Sequence, residues 1–228
     1  MHDLQELLGL EARPVAIAFR DAAPAGMRRV EAAGPSGCSY WRRAAAGESF
    51  YTEAADHLGC PIGAYTHGVE MPAASAAELQ GLVGTMTGLG YIAAAEVPGI
   101  PRRAAPLRAA LYGPFPGAPF EPDVVLVRGN ARQVMLLGEA ARAAGAESSE
   151  AMLRPTCAAL PAAIGAGRAA LSLGCIGNRV YTGLADGELY FAIPGAKLDD
   201  ILKKLITIVA ANRELEVFHR QRAAATAR

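Results

Sequence analysis

Apolar residues recur along this chain with two spacings, and each spacing predicts a different kind of element. Where they lie three or four positions apart, they predict an amphipathic helix. The clearest case is 198–222, in which Leu198, Ile201 and Leu205 fall on one face. By the same spacing, with Gly and Asn as end signals, helices are predicted over 2–10, 39–46, 74–84, 131–144 and 198–222.

Short apolar runs bounded by Gly or Pro predict buried strands. Such runs occupy 15–19, 49–52, 91–97, 124–127, 169–173 and 188–193. The Asp186-Gly187 pair further predicts a hairpin between 180–184 and 188–193. Because strands and helices interleave throughout, the sequence predicts an α/β or α+β fold.

A proline-rich segment separates two similar parts of the chain. Seven prolines fall within residues 98–122, which argues against a continuous helix or a central strand there. We therefore predict a first half-domain over 1–97, a connection over 98–122 and a second half-domain over 123–228 that includes the C-terminal helix. The two halves are expected to pack into one globule with pseudo-twofold symmetry.

The four cysteines are the main evidence for that repeat. Cys38 and Cys157 each open an Ala-rich helical stretch, whereas Cys60 and Cys175 each follow a glycine and precede a Tyr-Thr pair a few residues later. All four therefore occupy matching places in the two halves, and the symmetry would bring them together.

Composition restricts the classes of function that this chain can have. Its 22 basic and 22 acidic residues balance to a formal charge of +0, which argues against binding to nucleic acid or an anionic membrane. The first residues lack the features of a signal peptide, and no apolar run is long enough to span a bilayer. A soluble cytoplasmic protein is expected, and thiols in a reducing cytosol more often bind metal or catalyse than form structural disulfides.

The surroundings of the cysteines favour an inorganic cofactor. A helix N-terminus stabilises thiolate, and glycines such as Gly59, Gly174 and Gly177 let the backbone approach a bulky group and donate N–H bonds to sulfur. These are the requirements of a [4Fe–4S] cluster, with Cys38, Cys60, Cys157 and Cys175 as ligands. A structural tetrathiolate zinc site and four ordinary buried cysteines remain as alternatives.

Other residues are weaker candidates for a role in chemistry. Arg179 could neutralise a cluster or bind a carboxylate or phosphate, and it could equally form a surface salt bridge. His57 and His67 flank Cys60 and could act as ligands or proton carriers, although most such histidines are structural. Tyr65 and Tyr181 match in the repeat and would line a shared cleft or pack in the core.

Several of these segments together resemble a known family. Pro14-Val15-Ala16, Gly59-Cys60, Arg154-Pro155-Thr156-Cys157 and Gly174-Cys175-Ile176-Gly177-Asn178-Arg179 are similar to the bacterial and archaeal domain of unknown function 169 family. The resemblance covers nearly the whole chain. It implies that the four cysteines act as a set, and it implies no particular reaction.

The leading hypothesis at this point is an iron–sulfur protein that performs redox or sulfur-related chemistry on a small molecule, with Arg179 and His67 near the substrate. The alternatives are a non-catalytic metal- or cofactor-binding sensor or carrier, and a thiol-only enzyme. The expected partners are a small-molecule substrate or a redox partner, with a homodimer as the default assembly.

Overall fold

The computed structural model describes residues 3–147 and 153–226, which form one sheet covered by helices. The α-helices are α1 (Leu4–Leu8), α2 (Gly37–Ala45), α3 (Pro61–Thr66), α4 (Ala73–Gly88), α5 (Ala131–Ala143), α6 (Ala159–Ala166), α7 (Ile176–Thr182) and α8 (Leu198–Thr226). The strands are β1 (Val15–Arg20), β2 (Phe50–Glu53), β3 (Ala109–Pro114), β4 (Val124–Asn130), β5 (Ala170–Ser172) and β6 (Glu188–Pro194). The predicted mixture of helix and sheet is confirmed.

The six strands form a single sheet in the order β2-β3-β1-β4-β6-β5, and every neighbouring pair is antiparallel. The first three strands in space come from the first half of the chain, and the last three come from the second half. β1 and β4 pair at the centre, with Ala16 opposite Val125. The halves are therefore joined by backbone hydrogen bonds. The pseudo-twofold symmetry and the half-domain boundaries stay predictions.

Side chains along the central strands alternate between the two faces of the sheet, and both faces are buried under helices. Ile17, Tyr112 and Leu126 pack on one face with α2 and α6. Val125 and Ile193 pack on the other face with α1, α5 and α8. Helix α2, which carries Cys38, and helix α6, which follows Cys157, therefore lie on one side of the sheet.

The prediction that residues 98–122 hold no central strand is wrong. β3 lies inside this segment, between β2 and β1, and is paired on both sides. The prolines fall outside the positions that need a backbone donor, since Pro106 precedes the strand, Pro114 ends it and Pro116 follows it. A high proline content therefore does not exclude a central strand when the prolines lie at its ends or outside it.

Two other local predictions are wrong. Residues 91–97 were expected as a strand, but they form a turn and part of the 3-10 helix Ala94–Gly99. Residues 180–184 were expected in a hairpin, but 180–182 end α7, and β6 pairs with β4 and β5. Apolar runs of this length suit either element, and tertiary packing decided between them.

The helix predictions hold, apart from their ends. Asn130 caps α5 as expected, because its side chain accepts a hydrogen bond from the Gln133 N–H at 3.0 Å. α4 instead begins after Pro72, so the capping box predicted at Ser75 is wrong. The predicted N-terminal helix forms over Leu4–Leu8, and its first expected residue, His2, lies outside the described residues. No helix in the described part of the chain is long and apolar enough to cross a membrane.

Candidate functional site

Cys38 lies in the first turn of α2, where the helix begins after a Pro-Ser-Gly sequence. The neighbouring Tyr40 and Trp41 anchor this helix against the sheet and are almost completely buried. Cys38 is itself only 6% exposed. Burial raises the pKa of its thiol well above the ordinary value, because a thiolate loses more hydration than a thiol does.

Cys60 is the N-cap of α3, and its sulfur accepts a hydrogen bond from the backbone N–H of Gly63 at 3.4 Å. Burial raises the pKa of this thiol, whereas the N–H groups of Gly63, Gly37 and Ile62 act in the opposite direction. Since Gly37 is the first residue of α2, the starts of α2 and α3 meet at this sulfur. Cys60 is partly exposed, unlike Cys38.

The second half of the chain places its cysteines in the same kind of position. Cys157 lies in the 3-10 turn Thr156–Ala158 that leads into α6, and it is 4% exposed. Cys175 is the N-cap of α7 and is partly exposed. Its backbone N–H donates a hydrogen bond to the Thr156 hydroxyl at 2.7 Å, which ties the two cysteine turns together.

The four thiols lie close enough to affect one another. Burial is the main cause of the raised pKa of Cys38, and the thiols of Cys157, Cys175 and Cys60 raise it further. Burial likewise raises the pKa of Cys157 to about 12, with the thiols of Cys60 and Cys175 adding to the effect. The predicted meeting of the two cysteine pairs therefore has electrostatic support, and all four cysteines are free.

The iron–sulfur prediction is nevertheless wrong. Among residues 3–147 and 153–226, no group of three or more His, Cys, Asp or Glu side chains is placed so that it could hold a metal ion. The four cysteines form no such group, and the Cys60 sulfur accepts a hydrogen bond from the Gly63 N–H. The zinc alternative has no ligand group in the described residues either.

The three glycines beside the cysteines differ in how closely other atoms approach them. Gly174 has a φ of +84°, and a Cβ there would lie 2.5 Å from a Leu184 methyl group, so glycine is required for the turn into α7. Gly59 packs against the backbone of Gly34, and Gly177 lies on α7 with ordinary spacing around it. Binding of a cofactor by Gly59, Gly174 and Gly177 stays a prediction.

His57 and His67 form a buried pair beside the start of α2. Their ring centroids are 5.3 Å apart, and a Cβ added at Gly37 would lie within 3.5 Å of both rings. Burial lowers the pKa of His57 to about 4 and lowers that of His67 well below its ordinary value. Both imidazoles are therefore neutral at pH 7, which makes either one a weak base.

Much of the hydrogen-bonding capacity near this pair is unused. The Nε2 atom of His57 lies 2.8 Å from the Thr52 hydroxyl, whereas its Nδ1 atom and both ring nitrogens of His67 have no partner within residues 3–147 and 153–226. The Asn178 amide, which opposes the rise in the pKa of Cys38, also has no conventional hydrogen bond. Each unpaired buried group costs about 1–3 kcal/mol, and such a cost is typical of functional sites.

Arg179 lies on α7 and bonds to the backbone of its own half. Its guanidinium donates to the carbonyl oxygens of Leu173 and Ala185, at 2.6 Å and 3.0 Å, and approaches Asp186 at 3.6 Å. These bonds brace the loops on either side of α7. Its proposed catalytic role stays a prediction, as does that of His67.

Sequence reasoning missed two threonines that contact the thiol region. Thr66 opposes the rise in the pKa of Cys157, and Thr156 binds the backbone of Cys175. The repeated Tyr-Thr pairs could have indicated a role for Thr66. The hydroxyl groups of Thr66 and Thr182 each donate a hydrogen bond to a backbone carbonyl at the end of a short helix. Tyr65 lies beneath the Arg102 guanidinium, and Tyr181 is exposed on α7.

Comparison with known families gave one match. The model of the domain of unknown function 169 family, described as Uncharacterised ArCR, matches residues 3–204 and therefore covers all four cysteines. The comparison with curated proteins gave no match, and neither did the comparison with solved structures.

Proposed function

Since this chain belongs to the domain of unknown function 169 family, which is uncharacterised, we propose a function from its own thiol site. The protein exchanges its dithiol form with a disulfide form by reacting with a small-molecule disulfide. The observation that carries this proposal is that four free thiols, two from each half of the chain, lie at the starts of four helical segments and that three of them raise the pKa of the fourth, Cys38.

Exposure divides the four cysteines into two classes. Cys60 and Cys175 are partly accessible N-cap residues, so a disulfide substrate can approach them. Cys175 also raises the pKa of Cys60, after the larger effect of burial, so the two thiols are close enough to interact electrostatically. Cys38 and Cys157 are buried with strongly raised pKa values, and they stay as thiols in this mechanism.

The proposed exchange needs no reagent other than the disulfide. The Cys60 thiolate attacks one sulfur of the substrate, which forms a mixed disulfide and expels the first substrate thiolate. The Cys175 thiolate then attacks the Cys60 sulfur and expels the second. The two protons lost by the protein thiols pass to the two leaving thiolates, so the substrate is reduced and the Cys60–Cys175 pair is oxidised.

A raised pKa makes the first step dependent on pH. The three backbone N–H groups that face the Cys60 sulfur stabilise a thiolate, but burial outweighs them. The thiolate fraction therefore grows about tenfold per pH unit below the pKa, and the exchange rate grows with it. A cytoplasmic location, which the sequence predicts, would return the protein to its reduced form after each exchange.

Trapping the mixed disulfide tests this assignment. A Cys175→Ser variant lacks the resolving thiol, so we expect it to retain one glutathione on Cys60 after treatment with oxidised glutathione. The matched Cys60→Ser variant should react far more slowly, because its remaining accessible thiol lacks the N–H groups that face Cys60. Intact-mass and peptide-mass spectrometry measure both results. The Cys175→Ser variant is labelled at pH 7 and at pH 9. Equal rates of labelling of Cys60 at the two pH values, or labelling of Cys38 instead, would contradict the proposal.

A further inference from the structure

A small cleft borders the cysteine-bearing helix α2. It has a volume of about 90 Å³, and its polar lining comes from Arg13, Trp41, Arg42, Arg128, Thr182 and Tyr190. These residues belong to the loop before β1, to α2, to β4, to α7 and to β6. The cleft is thus built from both halves of the chain.

The charge in this cleft is positive and only partly neutralised. Arg128 pairs with Glu188 and donates a further hydrogen bond to the Gly183 carbonyl. Arg13 and Arg42 form no ion pair with any residue in the described part of the chain, although the chain as a whole carries equal numbers of acidic and basic residues. Two exposed arginines without an ion pair in the described residues therefore line one small volume.

A buried hydrogen-bond donor lies in the same wall. Trp41 is 2% exposed, and its Nε1–H has no partner in the structure. The indole packs edge-on against the Tyr190 ring, with ring centroids 5.3 Å apart, so its orientation is fixed. An unpaired indole N–H is a donor only, and its natural partner is an oxygen acceptor.

From these features we propose that the cleft binds a small oxyanion, such as a carboxylate, a phosphate or a sulfur oxyanion. Arg13 and Arg42 bind its oxygens through the planar, two-pronged guanidinium geometry that suits such anions, and Trp41 lines the same cleft. A volume of about 90 Å³ is too small for a nucleotide, since pockets for ligands of drug size usually exceed about 300 Å³.

The cleft shares a wall with the thiol region. Burial raises the pKa of Tyr190, and the neighbouring Thr182, Cys38 and Asn178 side chains are among the further influences on it. Tyr190 therefore contacts the cleft on one side and the surroundings of Cys38 on the other. The oxyanion site stands on its own residues, however, and does not depend on the thiol chemistry proposed above.

Trp41 provides a direct test because it is the only tryptophan in the protein. Inorganic phosphate, sulfate and acetate are titrated separately into the full-length protein while Trp fluorescence is recorded, with sodium chloride at matched ionic strength as the control. We expect a saturable change for at least one oxyanion and none for chloride. Calorimetric titration of the same samples detects binding that leaves the fluorescence unchanged.

Variants assign the binding to the cleft. Arg13→Gln and Arg42→Gln should each weaken binding by about tenfold or more, the loss expected for a charge-assisted hydrogen bond. Arg213→Gln, which removes an exposed arginine on α8, is the matched control and should bind as the unmodified protein does. Equal affinity in all three variants, or no binding in either measurement, would overturn the proposal. Cys60→Ser should bind normally, so failure here and failure of the thiol chemistry are separate results.

Discussion

His57 and His67 are buried as neutral imidazoles, and this determines how acid affects the stability of the fold. The folded-state pKa of His57 is lowered to about 4, chiefly by burial, and that of His67 is lowered well below its ordinary value by the same main cause. An unfolded chain binds a proton at each histidine near pH 6.5. Stability from these groups is therefore complete above about pH 6.5 and is lost as the pH falls toward 4, by about 1.4 kcal/mol per unit for each group.

Replacing His67 with phenylalanine should reduce this acid sensitivity. Neither nitrogen of His67 has a hydrogen-bond partner among the described residues, so His67→Phe puts a slightly larger apolar ring in its place and removes a group that unfolding would protonate. We expect the free energy of unfolding, from urea titrations between pH 7 and pH 4.5, to fall less steeply by about one proton. His219→Gln, on the exposed part of α8, is the control. An unchanged slope in His67→Phe would show that the imidazole is not buried neutral.

At the residue scale, the sequence predicted the local structure around each cysteine better than the arrangement of the four cysteines in space. Each cysteine was expected near a helix start or a glycine turn, and the structure places Cys38, Cys60 and Cys175 in such positions. A linear pattern cannot give the distances and angles between sulfurs from separate helices. The step from shared neighbourhood to metal ligation therefore failed.

Among the elements, the junction between β6 and the strand β4 is the most sharply constrained. Gly195 follows β6, and its N–H donates to the Asp123 carbonyl at 2.7 Å. A Cβ at this position would lie 2.0 Å from the carbonyl oxygen of Pro122. Only glycine lets the chain approach so closely, so this contact holds the end of the proline-rich segment against the sheet.

Exchange of this glycine for alanine should be costly. Gly195→Ala must move backbone, and we expect a loss of about 1–3 kcal/mol in the free energy of unfolding. Gly138→Ala is the matched control. Gly138 lies in the middle of α5, and a Cβ at this position would have no atom within 4 Å outside its own helix. That variant should gain about 0.5–1 kcal/mol. Similar stabilities of the two variants in thermal or urea unfolding would contradict this packing.

Element prediction succeeded for the long helical patterns and for most of the short apolar runs, and it failed for two of those runs and for one strand. The pattern over 198–222 and the cap at Asn130 predicted α8 and α5 correctly. By contrast, the brief apolar runs at 91–97 and 180–184 gave strands where the structure has helical turns. The strand β3 was missed because the prolines around it concealed a run that pairs on both sides.

For the molecule as a whole, the thiol site and the oxyanion cleft are both products of joining the two halves. β1 and β4 pair at the centre of the sheet, and α2 from the first half packs near α7 from the second. Cys60 and Cys175 are far apart in the chain, so a disulfide between them would close a long loop. Such a bridge would stabilise the oxidised protein by about 4–5 kcal/mol in the chain-entropy account.

The most direct test of the central claim is a peptide map, under non-reducing conditions, of the unmodified protein after equilibration with oxidised glutathione. We expect one disulfide-linked pair of peptides that joins Cys60 to Cys175, with Cys38 and Cys157 recovered as free thiols, and full reversal by dithiothreitol. Four free thiols after equilibration, or a bridge between Cys38 and Cys157, would contradict the proposed exchange.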